Sequence, residues 1–260
     1  MREMRQPSDM DAPGRTGDRI LPPVPAVTRA RAGGEGRDFR LRWPAVSRRL
    51  LVTAGVFALV FIAVALFTQS EAFNGLNLRL LRYLQNRASL GQDVALGILT
   101  YLGSIEVTLV IVLLLGIRLF KGLRLLAILP AMAVLAGSGI EYLLKHSLVS
   151  KGPPVAYLRF PDLLPKLNHG VDPNSFPSGH VLRATLVYGL VLYLSERWDL
   201  FGKDTSRLSP VLVLLVLLMG YAVIYLGWHW FSDALGGLLL GLTLLIGMIA
   251  YLERKRLVNP

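Results

Sequence analysis

A chain of 260 residues that is 53% hydrophobic and 17% charged carries more apolar surface than one water-soluble domain hides. The absence of cysteine excludes disulfides, thiolate metal sites and cysteine nucleophiles. A formal net charge of +11 would point to nucleic acid in a soluble protein, but long apolar runs give it another role. Basic residues flank membrane spans on the cytoplasmic side, and no nucleic-acid partner is called for.

Residues 1–49 are rich in Pro, Gly, Arg and Asp and lack periodicity, and they read as a disordered basic cytoplasmic tail. Eleven arginines stand there against six acids, and Arg48 and Arg49 directly precede the first apolar run. That charge suits anionic headgroups, although a topology signal explains it more simply. A run near 20 apolar residues crosses about 30 Å of hydrocarbon. Leu50–Phe67 is the first such run and holds no charge. It lies too far from the start of the chain, and lacks the small-residue cleavage site, to be a removable signal.

Within 73–88, Phe73, Leu76, Leu80, Leu84 and Ala88 recur at helical spacing beside Arg79, Arg82 and Arg87. This predicts a helix lying in the interface. Val94–Ile117, with Glu106, is the second run, and Leu125–Leu144, with Glu141, is the third. Gly179–Leu194 is the fourth and opens with His180 and Arg183; Pro210–Trp228 and Ala234–Leu252 are the fifth and sixth. The predicted fold is therefore all-α: a polytopic membrane bundle of about six transmembrane helices with an interfacial amphipathic helix. It forms one domain over 50–252, followed by a short basic tail at 253–260.

Links 118–124, 196–207 and 253–257 carry Lys and Arg close to span ends, which places them and both termini in the cytoplasm. Segments 69–93, 146–178 and 229–233 then lie outside. "AGSG" at 136–139 reads as a close-packing surface between helices. A transporter would need polar groups or broken helices at mid-membrane, of which Glu106 and "AGSG" offer little. His146, His169, His180 and His229 show no metal-ligand spacing.

Four polar residues mark span ends. Lys145 closes the third span, His180 opens the fourth, His229 closes the fifth and Asp233 opens the sixth. By parity all four share the outer face. Singly, each has an ordinary role as a snorkelling or capping group; together they have a chemistry. His229 and Asp233 are four apart, on one helical face. An aspartate bonded to one imidazole nitrogen leaves the other basic and aimed, as a nucleophile requires. In "PSGH" (177–180) a turn meets a helix N-terminus, where an anion is favoured. There Gly179 permits close approach, Ser178 adds a hydroxyl and His180 stands within reach as an acid. Lys145 adds positive charge. The set describes a phosphate site with a nucleophile on one side and an acid on the other.

The blocks "KHSLVSKGP" (145–153), "PSGH" (177–180) and "AVIYLGWHWFSD" (222–233) resemble the type-2 phosphatidic acid phosphatase superfamily. Its pattern is K-x6-R-P, P-S-G-H and S-R-x5-H-x3-D. The resemblance covers roughly residues 50–250. It implies that His229 attacks phosphorus to form a phosphohistidine, Asp233 orients His229, and His180 protonates the leaving group. It further implies that Lys145, Ser178 and Gly179 bind phosphate oxygens, with no metal and no cofactor. The implied setting is a bacterial-type plasma membrane with the site facing outside and membrane lipids around it. The implied substrate is an anionic lipid bearing a terminal phosphate, such as a polyprenyl diphosphate or phosphatidic acid.

Two arginines of the pattern are missing. Gly152 replaces the first, and Ala222 and Val223 stand for Ser-Arg in the third block. Guanidinium is the preferred bidentate partner of phosphate. Arg183, one turn below His180, is the leading replacement, with Lys151 and Arg159 in the same outer loop. An ion pair between Arg183 and Glu106 or Glu141 is the competing assignment. The alternatives for the whole chain are a lipid phosphotransferase using a phosphodiester donor and a degenerate, non-catalytic lipid-phosphate binder.

Overall fold

The computed structural model describes residues 45–123, 127–159, 174–198 and 205–258. The basic tail up to residue 44, and His169, lie outside them. Eight α-helices run through the described residues. They are α1 (Ala45–Gln69), α2 (Asn74–Gln85), α3 (Leu90–Thr100), α4 (Ile105–Leu123), α5 (Leu129–Ser147), α6 (Gly179–Trp198), α7 (Thr205–Tyr225) and α8 (Phe231–Val258). Residues 253–258, expected as a tail, continue α8.

α6 is the central helix and packs on α4, α5, α7 and α8. Val181, Leu182, Ala184, Leu186, Val187, Leu190 and Leu194 are all buried, so apolar residues cover most of its circumference, as an enclosed helix requires, with Arg183, Thr185 and Ser195 buried among them. α1 instead pairs extensively with α8 and turns Val52, Val56, Leu59, Ile62 and Leu66 outward, each more than half exposed. An apolar stripe of that extent fits a lipid-facing surface. On length and apolarity three helices can cross a bilayer: Val46–Gln69, Arg207–Tyr225 and Phe231–Arg254. α3 and α4 together meet the same length and apolarity, with a 48° bend between them that suits a broken span or a re-entrant loop. α5 and α6, of 19 and 20 residues, reach the length, but their polar groups keep them out of that set. The expectation of about six spans thus rests on three helices by composition, the bent α3–α4 pair, and two helices by length.

The second apolar run is not one helix. It breaks at Tyr101–Ser104, where Ser104 Oγ accepts the Val107 N–H at 3.2 Å and starts α4 afresh. The break frees the Gly103 carbonyl for Arg183 Nε at 3.0 Å. α2 falls within the predicted interfacial helix, but its inward face is offset. Leu76 is 49% exposed, whereas Asn77 and Leu81 are buried. The reason is polar: Asn77 Nδ2 donates to Ser232 Oγ at 3.0 Å, and its Oδ1 accepts the Ser232 N–H at 3.1 Å. These two hydrogen bonds to the first turn of α8 set the rotation of α2.

α8 lies close against the start of α6. A Cβ at Gly237 would collide with the Ser178 carbonyl and sit 3.2 Å from Val181 Cβ. Of the two glycines of "AGSG", Gly137 meets the core at Leu182 and Leu244, whereas Gly139 has open space around it. Gly237→Ala is therefore expected to cost about 1–3 kcal/mol of stability by overpacking. Gly55→Ala, which meets nothing, should gain up to about 1 kcal/mol from helix propensity. Thermal unfolding of the two variants in the same detergent checks the opposite signs.

Candidate functional site

The sequence of α8 begins with a capping arrangement. Trp230 precedes the helix, and Asp233, its third residue, reaches back so that Oδ2 accepts the Trp230 N–H at 2.9 Å. This is the acidic half of a capping box, and the helix N-terminus favours its charge. The same oxygen accepts the Ser175 hydroxyl at 2.6 Å, and the Asp233 carbonyl accepts the Ser178 N–H at 2.9 Å. Asp233 thereby fixes the 174–178 turn against α8.

His229 is buried one turn before Asp233. Its main-chain N–H and that of Trp228 both donate to the Val223 carbonyl, at 3.1 and 3.0 Å. The ring Nδ1 faces Asp233 Oδ2 at 3.7 Å. The predicted pairing is present in direction but longer than a hydrogen bond, because Oδ2 already holds two donors. Asp233 Oδ1 and His229 Nδ1 are both buried without a partner.

Ser178 caps α6 with its carbonyl, which accepts the Leu182 N–H at 3.1 Å. A serine in that place ordinarily turns its hydroxyl onto the first-turn N–H groups. Here Ser178 Oγ is fully buried and makes no hydrogen bond. His180 lies beside Trp228, ring centroids 5.8 Å apart. Trp228 Nε1 is also buried without a partner. Four of the seven buried unpartnered side-chain atoms among the described residues thus belong to Ser178, Trp228, His229 and Asp233.

The end of α5 joins the same place. Asn174 Nδ2 donates to the Lys145 carbonyl at 2.7 Å, its Oδ1 accepts the Ser150 N–H at 3.2 Å, and the Ser175 N–H donates to the Ser150 carbonyl at 2.7 Å. Lys145 Nζ lies 3.2 Å from Glu141 Oε1. The structure therefore brings Lys145, Ser178, Gly179, His180, His229 and Asp233 to one end of the bundle.

The three replacement cations are placed differently. Arg183 donates from NH1 to Glu141 Oε2 at 2.7 Å and from Nε to the Gly103 carbonyl. It has the competing ion pair weighed from sequence. Arg159 donates from Nε and NH2, one edge of its guanidinium, to the two oxygens of Asp93, each at 2.8 Å. Tyr225 also donates its hydroxyl to Asp93, at 2.8 Å. The hydrogen bond to Asp93 raises the Arg159 pKa further above its ordinary value, so Arg159 stays charged. Lys151 has an exposed side chain, and its carbonyl accepts Trp230 Nε1 at 2.9 Å. Gly152 sits against Ser175, with a Cβ there 3.3 Å from Ser175 Cβ.

Sequence reading misses Ser175, Asn174, Asn77 and Trp228, since no spacing rule links a turn serine or an asparagine to a carboxylate in a distant helix. Glu141 was legible: it stands four residues before Lys145, the spacing of a helical ion pair.

Comparison with known proteins bears on the same region. The family model of the PAP2 superfamily matches residues 124–257, just over half of the 260-residue chain. Phosphatidylglycerophosphatase B of Bacillus subtilis (strain 168) is 37% identical over 71 residues, 27% of this chain and 35% of that protein. The match spans about a third of that relative's length. The crystal structure of a transmembrane PAP2-type phosphatidylglycerolphosphate phosphatase from Bacillus subtilis superimposes with a TM-score of 0.62. It covers 78% of this chain and 96% of that one at 21% identity, a likeness of fold. LpxE of Aquifex aeolicus gives a TM-score of 0.49 at 26% identity over 68% of this chain and 94% of that one.

Ser175→Ala is expected to cost about 1–3 kcal/mol, because it leaves a fully buried carboxylate one donor short. Thermal unfolding measures the loss.

Proposed function

The chain belongs to the PAP2 superfamily, and from that premise we propose that it is an integral-membrane lipid-phosphate phosphatase. The observation that carries this reading is the group of buried, unpartnered polar atoms on Ser178, Trp228, His229 and Asp233. Buried polar groups in folded proteins are nearly always paired, and a cluster of unpaired ones beside a histidine suits a polar ligand.

With Nδ1 turned to Asp233, Nε2 of His229 is the nitrogen that attacks. The N–P bond forms as the bond from phosphorus to the lipid oxygen breaks, and His180 gives that oxygen its proton. Water then attacks phosphorus, the P–N bond breaks, and the water's proton passes to His180. Lys145, Ser178 and Gly179 hold the phosphate oxygens, and Lys151 adds charge from the rim. Arg159 acts through Asp93 by holding the 153–159 loop, and Arg183 acts through Glu141. No cofactor takes part in these steps. The site faces outside, both termini are cytoplasmic, and the lipid tail enters between helices.

The test is phosphate release by purified protein from phosphatidic acid, phosphatidylglycerophosphate and a polyprenyl diphosphate. The second is included because the Bacillus relatives carry that activity in their names. His229→Ala is expected to lower release by about 10³-fold or more, as removal of a nucleophile does. Undiminished release would end the phosphohistidine mechanism, and lipid binding without turnover in the unaltered protein would favour a non-catalytic binder. Orientation has its own test. The chain lacks cysteine, so His169→Cys introduces a single thiol, and an impermeant thiol reagent should label it in intact cells. Labelling only after lysis would invert the topology.

A further inference from the structure

Four cations were candidates to hold the charge of a phosphate, and three of them have a carboxylate. Arg159 closes its Nε–NH2 edge on both oxygens of Asp93. Arg183 and Lys145 share Glu141, one on each oxygen, at 2.7 and 3.2 Å. Lys151 is the exposed one. Glu141 is itself only 9% exposed, so salt and water screen its contacts weakly. Its carboxylate also occupies the space a side chain at residue 179 would need. A negative charge is therefore seated at the first residue of α6, directly beneath the turn that carries the unpartnered Ser178 hydroxyl.

Counted with their partners, these charges balance: Lys145, Arg183 and Arg159 against Glu141, Asp93 and Asp233. Such a site gains little from each further negative charge on its ligand, while the desolvation of that charge still opposes binding. A phosphomonoester carries about −1.5 to −2 at neutral pH; a phosphodiester, with one ionisable oxygen, carries a single charge.

We propose that Glu141 is the specificity-determining residue of this site, holding Lys145 and Arg183 so that the site accepts a phosphoryl group bearing one negative charge in preference to one bearing two. A phosphodiester and a singly protonated monoester both meet that description. The inference rests on the reading above for where phosphorus sits. With a diester, the His229 N–P bond forms as the P–O bond to the first alcohol breaks, and that oxygen takes the proton of His180. Water or a second alcohol then forms the new P–O bond, the P–N bond breaks, and the attacking group's proton passes to His180.

The experiment compares inhibition by decyl phosphate and by methyl decyl phosphate at neutral pH, using the full chain in detergent. The unaltered protein should hold the singly charged diester at least as tightly as the monoester. Glu141→Gln, which keeps the shape and removes the charge, should shift the ratio toward the monoester by about tenfold, equivalent to about 1.4 kcal/mol. A preference of the unaltered protein for the monoester beyond tenfold overturns the inference. So does an unmoved ratio in a folded Glu141→Gln, even where phosphate release shows the phosphatase reading to stand. If that variant does not fold, the ratio in the unaltered protein decides alone. Product analysis separates the two sources: inorganic phosphate marks the monoester, and a released headgroup alcohol with phosphate retained marks the diester. A protein that turns over neither lipid class and binds neither probe removes the reading and the inference together.

Discussion

The carboxylate of Asp233 is the contact on which the geometry of the site depends. One fully buried residue caps α8, holds the Ser175 hydroxyl and, through its carbonyl, fixes the Ser178 N–H. Two loops distant in sequence are thereby locked to one helix end. The carboxylate tolerates burial because the helix N-terminus and two donors offset its desolvation. The position of Ser178 relative to His229 thus follows from a capping interaction that would exist for structural reasons alone. The proposed chemistry is built on a helix start, not added to it.

Enclosure of α6 imposes the second constraint. An enclosed helix can carry Arg183 only where a partner meets it, because an unpaired buried charge is far costlier than a paired one. Glu141 supplies that partner from α5, and the bent α3–α4 pair supplies the Gly103 carbonyl. The break between α3 and α4, the charge on α5 and the arginine on α6 are one arrangement. Lys145, four residues after Glu141, is drawn into it.

Much of this was legible before any coordinates. Apolar runs locate the long helices because length and composition alone decide whether a segment crosses a bilayer. The parity argument gathers Lys145, His180, His229 and Asp233 at one end, since spans alternate in direction. The rotation of α2 was not legible. Leu76 and Leu80 satisfy helical periodicity as well as Leu81 does, and the amide of Asn77 decides between them by pairing with a residue 155 positions away. The break at Gly103 was hidden for a related reason: an uninterrupted apolar run looks the same whether or not a carbonyl inside it is needed elsewhere. The length of the His229–Asp233 contact depends on Ser175, whose part in the site no local spacing reveals.

The two positions where the resemblance expects guanidiniums are filled in ways that make their loss coherent. Val223 is fully buried in an apolar cluster with Val181, Ala184, Met219 and Ala234, and its carbonyl holds the N–H groups of Trp228 and His229. The backbone there positions the histidine, and the side chain need only fill space. Gly152 packs against Ser175, which holds Asp233, so a side chain there would press on the serine that donates to the carboxylate. The cation added on α6 arrives from inside the bundle and must be neutralised to be buried. On the proposed reading, exchanging the pattern's guanidiniums for Arg183 changes how much positive charge reaches the ligand, not only its direction of approach. A site can in this way keep its histidines and its aspartate while altering the charge state of the phosphate it holds best.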